Sequence, residues 1–138
     1  MNTDLQTLVG HPIRSVEKKD YSWFFVFTDG AIIVTETSWR FVTPDGIFVT
    51  SEDHEQQFGL PQPVDAGQRL MSRAAALLVT AVSIHPTTGD LTVNFADSEL
   101  QFLQMSCGYE AWRLNLGDTE TICTGGGQLA YFNNPKVA

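Results

Sequence analysis

Positive charge is what this chain has least of: Lys and Arg number 8 against 16 Asp and Glu, a formal net charge of −8 over 138 residues. An excess of that sign repels phosphates, which weighs against nucleic acid and against anionic membrane surfaces as direct ligands. Cysteine is equally scarce. Cys107 and Cys123 are the only two, too few for a disulfide framework, and in a reducing compartment they are expected as free thiols. Whether they pair is left open by the sequence. His11, His54 and His85 are scattered without the spacing of metal ligands. Glu52-Asp53-His54-Glu55 has the look of a cation loop, yet it lacks regularly spaced oxygen ligands and a turn glycine. No metal and no cofactor is expected. Long apolar runs are missing too: Ala74 to Val82 is broken by Thr80 and is too short to cross a bilayer. Residues 1–12 offer neither a basic start nor an apolar stretch, so the reading expects a cytoplasmic protein without a secretion signal.

What is present is the composition of one folded domain, with 43% apolar and 17% charged residues. A chain of this length hides roughly two-thirds of its unfolded surface in a single core, so no covalent staple is required. Its pattern repeats. Trp23 to Val34 and Asp90 to Gln101 each read as a strand, a tight turn and a strand, with Phe27 over Phe95 and Asp29 over Asp97. Trp39-Arg40-Phe41 returns as Trp112-Arg113-Leu114, and Pro44-Asp45-Gly46 returns as Gly117-Asp118-Thr119. Ile13–Lys18 resembles Val79–Ile84, and the second half carries an insertion around Ser106 to Tyr109.

Period-two alternation supplies the strands, about ten of them. Trp23, Phe25 and Phe27 share one face while Phe24 and Val26 share the other, which predicts a central strand covered on both sides. Asp29-Gly30 suits a two-residue hairpin, and Asp97-Ser98 is a weaker form of it. One helix is expected, capped by Asp65 and running from Gln68 to Leu78 with Leu70, Ala74 and Leu77 on one face. Ser51 to Phe58 suits a short helical turn, and residues 133–138 a frayed end. The expected fold is a β-rich α+β single domain over 1–138. Two similar antiparallel meanders, about 8–50 and 77–132, form an internal duplication joined by the segment 51–78 with its α-helix.

Tyr109-Glu110-Ala111-Trp112-Arg113, followed by Gly125-Gly126-Gly127, is the densest polar and aromatic constellation. Together with the Asp-Gly hairpins it resembles a family of small bacterial proteins of unknown function, across roughly residues 8 to 132. Asp97-Ser98 departs from the glycine expected there. The resemblance implies a duplicated meander fold and assigns no activity or catalytic residue. By strand parity Glu110 and Trp112 share one side and Arg113 takes the other. The default is core packing for the indole and a surface ion pair for the arginine. The alternative is a small-molecule or enzymatic site in which Tyr109 and Trp112 stack and Glu110 fixes a polar group. The glycines read as a tight turn before the last strand, since neither a following helix nor a nearby base completes a phosphate cradle. Charge is uneven: Asp90, Asp97, Glu99, Glu110, Asp118 and Glu120 face the single base Arg113 between Leu77 and Pro135. Solubility accounts for that arrangement cheaply. The sharper reading is a non-enzymatic, inhibitor-like binding module whose Asp97, Glu99, Glu110 and Asp118 attract a basic protein.

Overall fold

A computed structural model describes residues 5–133. The expected frayed end lies outside them except for Asn133, and so do residues 1–4 of the expected leaderless start. The order of strands is β1 (Ile13–Lys19), β2 (Ser22–Phe27), β3 (Ile32–Thr35), β4 (Trp39–Thr43), β5 (Gly46–Thr50), β6 (Val79–Ile84), β7 (Leu91–Phe95), β8 (Ser98–Phe102), β9 (Trp112–Asn115), β10 (Thr119–Cys123) and β11 (Leu129–Asn133). Helix α1 (Ala66–Ala74) stands between β5 and β6. The architecture is β-rich with two antiparallel sheets and one α-helix. The described residues hold eleven strands where about ten are expected, and β11 is the strand expected after the glycine turn.

One sheet has the order β1-β2-β3-β9-β10-β11 and the other β5-β4-β8-β7-β6. Their inner faces make the core. Phe25 meets Trp39 and Phe102 edge-on, at ring separations of 5.3 and 4.9 Å, and Trp23 meets Trp39 at 5.2 Å. Alternation does the sorting: β2, β4, β7 and β8 each bury every second side chain. No helix among the described residues is long and apolar enough to cross a membrane.

The registers of the two halves run in parallel. Ile13 pairs with Phe27 and Val79 with Phe95, and a one-residue shift follows each pair. Thr35, Val34 and Ile33 face Trp112, Arg113 and Leu114, while Phe102, Gln101 and Leu100 face Trp39, Arg40 and Phe41. The first half sends β1 to β3 to one sheet and β4 and β5 to the other, and the second half sends β6 to β8 to one sheet and β9 to β11 to the other. The crossings 36–38 and 103–111 are tied together: Thr35 Oγ1 donates to the Ala111 carbonyl (2.8 Å) and Thr37 Oγ1 to that of Leu103 (2.9 Å).

The turns correct several sequence expectations. The β2–β3 connection is the three-residue loop 28–30, with Gly30 at φ 93° and the Phe27 amide on the Ala31 carbonyl. In the second half the turn is Ala96-Asp97, not Asp97-Ser98, and Ser98 is the buried first residue of β8 opposite Phe95. Asp65 caps α1 as expected, accepting from the Gln68 amide at 3.1 Å. The helix begins at Ala66 and stops at Ala74, short of Leu78, because Val79 must already be extended to pair with Phe95. Leu70 and Ala74 are buried in the core and Leu77 packs partly against it. Thr50 caps a short 3-10 turn at Ser51–Asp53 through a reciprocal bond with Asp53. The glycine stretch forms the expected tight turn, with Gly126 at φ 78°.

Candidate functional site

Strand β2 is flanked by β1 and β3, and its second apolar face is only partly buried, with the Lys19 ammonium 5.7 Å from the Phe24 ring centre. The expectation of cover on both sides is overturned: Phe24 and Val26 are half-buried. Across the outer face of the six-stranded sheet, Phe24 pairs with Val34, Val34 with Arg113, and Arg113 with Ile122. The next row runs Val26, Ile32, Asn115, Glu120 and Phe132. A depression of about 580 Å³ lies here, floored by Phe24, Ile32 and Val34 and bordered by Glu36, Glu110, Arg113 and Glu120.

Two carboxylates thus share one guanidinium, and a third, Glu36, adds its charge from further off. Arg113 Nε donates to Glu110 Oε2 at 2.8 Å, and Nη1 lies 3.8 Å from Glu120 Oε2. The hydrogen bond to Glu110 holds the arginine above its ordinary pKa against partial burial, and the charges of Glu110, Glu120 and Glu36 add to it. Glu36 accepts from Ser22 Oγ at 3.3 Å. The ion pair is half-exposed, so its worth to stability is small. Its positional consequence is larger, since two of the glutamates lean on Arg113 and the border keeps a negative excess over an apolar floor.

The candidate residues separate. Trp112 is fully buried, with Nε1 donating to the Gly89 carbonyl at 2.8 Å, while Tyr109 is 80% exposed. They do not stack. Strand β9 begins only at Trp112, so strand parity does not reach back to Glu110, whose side chain turns outward to Arg113 rather than inward with the indole. Asp97 sits in the β7–β8 turn and accepts from Ser98 Oγ. Glu99 lies on β8 of the other sheet, accepting from Gln101 Nε2, and Gln101 in turn accepts from Arg40 Nε at 2.6 Å. Asp118 is in the β9–β10 hairpin. The structure therefore joins Glu110 with Arg113 and leaves Asp97, Glu99 and Asp118 elsewhere. Asp29, Asp45, Asp97 and Asp118 occupy the β2–β3, β4–β5, β7–β8 and β9–β10 connections, at the strand ends away from the two crossings.

Phe24, Ile32, Val34 and Glu36 were not named as site residues by sequence reasoning. Their signal was the doubly apolar pattern of β2 continued by Ile32 and Val34. What the sequence could not supply was the β3–β9 pairing that brings Glu110, Arg113 and Glu120 beside them. Elsewhere, Cys107 and Cys123 are free thiols, one exposed and one buried. Burial pushes the Cys123 thiol up, while a hydrogen bond from Gln104 opposes that and Asp90 adds to it. Among the described residues no group of three or more His, Cys, Asp or Glu could hold a metal ion. Comparison with family models, curated proteins and solved structures finds no match.

Proposed function

We propose that this chain is a non-enzymatic protein-binding module that takes a basic partner, and that the outer face of the six-stranded sheet is the principal seat. One observation carries the reading: half-buried Phe24, Ile32 and Val34 lie between Glu36, Glu110 and Glu120, whose three charges outnumber the two cations there, Arg113 and the Lys19 ammonium 5.7 Å from the Phe24 ring. An apolar floor rewards burial and a net negative border selects a cationic rim on the partner. The four hairpin aspartates extend the negative field and steer encounter from further away. The volume also suits a small cationic ligand, which supports the alternative of a small-molecule site at the same place. A cytoplasmic location and kinship with the small bacterial proteins of unknown function belong to the same proposal. So does an internal duplication, supported by the matched registers and matched strand shifts of the two halves.

The test is capture from host extract at low salt, followed by kinetics with two charge-neutralised variants. Neutralising Asp97, Glu99 and Asp118 together should slow association by about one to two orders of magnitude at low salt, an effect that shrinks as salt rises. Replacing Glu36, Glu110 and Glu120 by Gln should in addition speed dissociation, because those side chains border the contact. Capture of no basic protein, or equal rates for parent and both variants at every ionic strength, would sink the reading. A thermal shift with small amines but no protein capture would favour the alternative.

A further inference from the structure

Trp112 and Trp39 hold matching places, and the chain closes over only one of them. Thr35 pairs with Trp112 and with Trp23, while Phe102 pairs with Trp39 and with Leu91. Arg113 pairs with Ile122 and Arg40 with Thr50, so Cys123 and Ser51 follow at matching places as well. Over Trp112 the connection 85–90 folds down: the Gly89 carbonyl accepts from Trp112 Nε1 at 2.8 Å, and a Cβ on Gly89 would fall 2.7 Å from Cys123 Sγ. The corresponding connection of the first half is Asp20-Tyr21 alone. Trp39 Nε1 is buried with no hydrogen-bond partner. A buried indole N–H ordinarily finds an acceptor, so an unpaired one is an exception with a cause.

A depression of about 360 Å³ lies at the corresponding place in the first half. Its lining includes Trp23, Ser38 and Ser51, which stand where Leu91, Ala111 and Cys123 stand in the second half. Trp39 lies directly behind all three. Its ring is 5.2 Å from that of Trp23, its amide donates to Ser51 Oγ at 3.1 Å, and Ser38 precedes it in the chain. Exposed Tyr21 and Met105 stand at the mouth. Glu36 and Glu52 border it, each held by a serine: Glu36 accepts from Ser22 Oγ at 3.3 Å and Glu52 from Ser38 Oγ at 3.0 Å. Neither carboxylate forms an ion pair among the described residues, and Lys18 is the one cation in the lining. Glu36 also borders the depression on the outer face of the six-stranded sheet.

We propose that this depression takes a cationic peptide segment of the basic partner. A backbone carbonyl of the segment supplies Trp39 Nε1 with the acceptor that Gly89 supplies to Trp112, and its Lys or Arg side chain lies between Glu36 and Glu52. The site deepens the partner-binding reading, on which it rests, because Glu36 belongs to both depressions and lets one segment run from the outer face into this one. The unpaired donor selects a peptide over a bare cation: an ammonium or guanidinium group offers no acceptor, whereas every peptide unit carries a carbonyl. Two carboxylates against Lys18 set the preference for positive charge. Glycine is the fitting residue at the carbonyl, as Gly89 is beneath its own connection. Trp39 Nε1 has no accessible surface before binding, so entry shifts a side chain at the mouth, and the exposed, unbranched Met105 yields readily.

The experiment is a nuclear magnetic resonance titration of the intact, isotope-labelled chain with the acetylated dipeptide amide Gly-Arg, read at the indole N–H signals. The expected result is a Trp39 signal that moves downfield and exchanges more slowly with water as the peptide saturates, while the Trp112 signal stays in place. The Gly-Glu dipeptide keeps the carbonyls and reverses the charge, so it should bind about tenfold more weakly at low salt, with a gap that narrows as salt rises. Trp39→Phe should weaken the Gly-Arg peptide about fivefold, and Glu36→Gln with Glu52→Gln about tenfold at low salt. Thermal melting verifies each fold, and the Trp39 signal of the parent decides the matter should Trp39→Phe not fold. No binding at millimolar peptide overturns the proposal. So does a Trp39 signal unmoved at saturation, which would mean that its N–H is spent on the Trp23 ring. Equal affinity for the two dipeptides, or affinity untouched by the paired glutamine changes, overturns it too. A captured partner indifferent to Trp39→Phe and Glu52→Gln sinks this site and leaves the outer-face reading standing. Capture of no partner strikes that reading alone, because the titration needs none.

Discussion

Trp39 and Trp112 hold matching register positions in the two halves, and both are fully buried, yet their indole nitrogens meet different surroundings. Trp112 Nε1 finds the Gly89 carbonyl because the β6–β7 connection, His85 to Asp90, folds over it. Gly89 is needed there: at φ 79° a side chain is strained, and a Cβ would fall 2.7 Å from Cys123 Sγ. In the first half the equivalent connection is only Asp20-Tyr21, and Trp39 Nε1 has no hydrogen-bond partner. Its ring instead lies edge-on to Trp23 and Phe25. The same substitution should therefore cost different amounts. Both Trp→Phe changes lose packing, but Trp112→Phe also strands a carbonyl, so it should be the more destabilising by about 1–3 kcal/mol. Urea unfolding of the two variants side by side measures this. Equal losses would mean that the Gly89 bond contributes nothing net.

The helix reaches its place through one small residue. Gly67 is buried in the first turn of α1, and the Val16 carbonyl lies where its Cβ would be. Alanine is worth about 1 kcal/mol more than glycine inside a helix, yet a backbone clash that shifts the helix costs about 1–3 kcal/mol. Gly67→Ala should accordingly lower stability or leave it level, whereas the same change at an exposed helix position would raise it. Thermal unfolding decides the sign, and a clear rise in melting temperature would contradict the close approach. Elements of this kind also mark what the sequence could reveal. The helical turn expected over 51–58 is capped one residue earlier, by Thr50, and ends at Asp53, whereas the Asp65 cap, the strands around Phe25 and Phe95 and the glycine turn rest on contacts a few residues apart, and each was legible. The helix end at Ala74 was not, because the pairing of Val79 with Phe95 overrides good helix formers at Ala75 to Leu78. Nor was the outward turn of Glu110, since alternation has no meaning before a strand begins. The candidate site combines β2, β3, β9 and β10, which only the β3–β9 pairing brings together across the whole length of the second meander.

At the scale of the molecule the two halves exchange strands, and neither one closes a core. β1 to β3 require β9 as their next neighbour, while β4 and β5 require β8. A fragment ending in the turn after α1 would present β3 and β4 as naked edges, with the inner faces of Phe25, Ile33 and Phe41 uncovered. The remaining fragment would leave β8 and β9 in the same position. Cutting the chain there removes no core side chain, so the lost quantity is the linkage alone, and its cost should depend on concentration. Each fragment alone should lack a cooperative thermal transition and the near-ultraviolet signal of packed tryptophans. Mixed in equal amounts, they should recover both, with a melting temperature that rises with concentration. Each half could also satisfy its edges with a second copy of itself, because the β3–β9 and β8–β4 pairings share one register. Recovery should therefore compete with self-association, and size-exclusion of the separate fragments would reveal it. A fragment that melts cooperatively as a monomer would show that one meander suffices for a core, contrary to the exchanged topology.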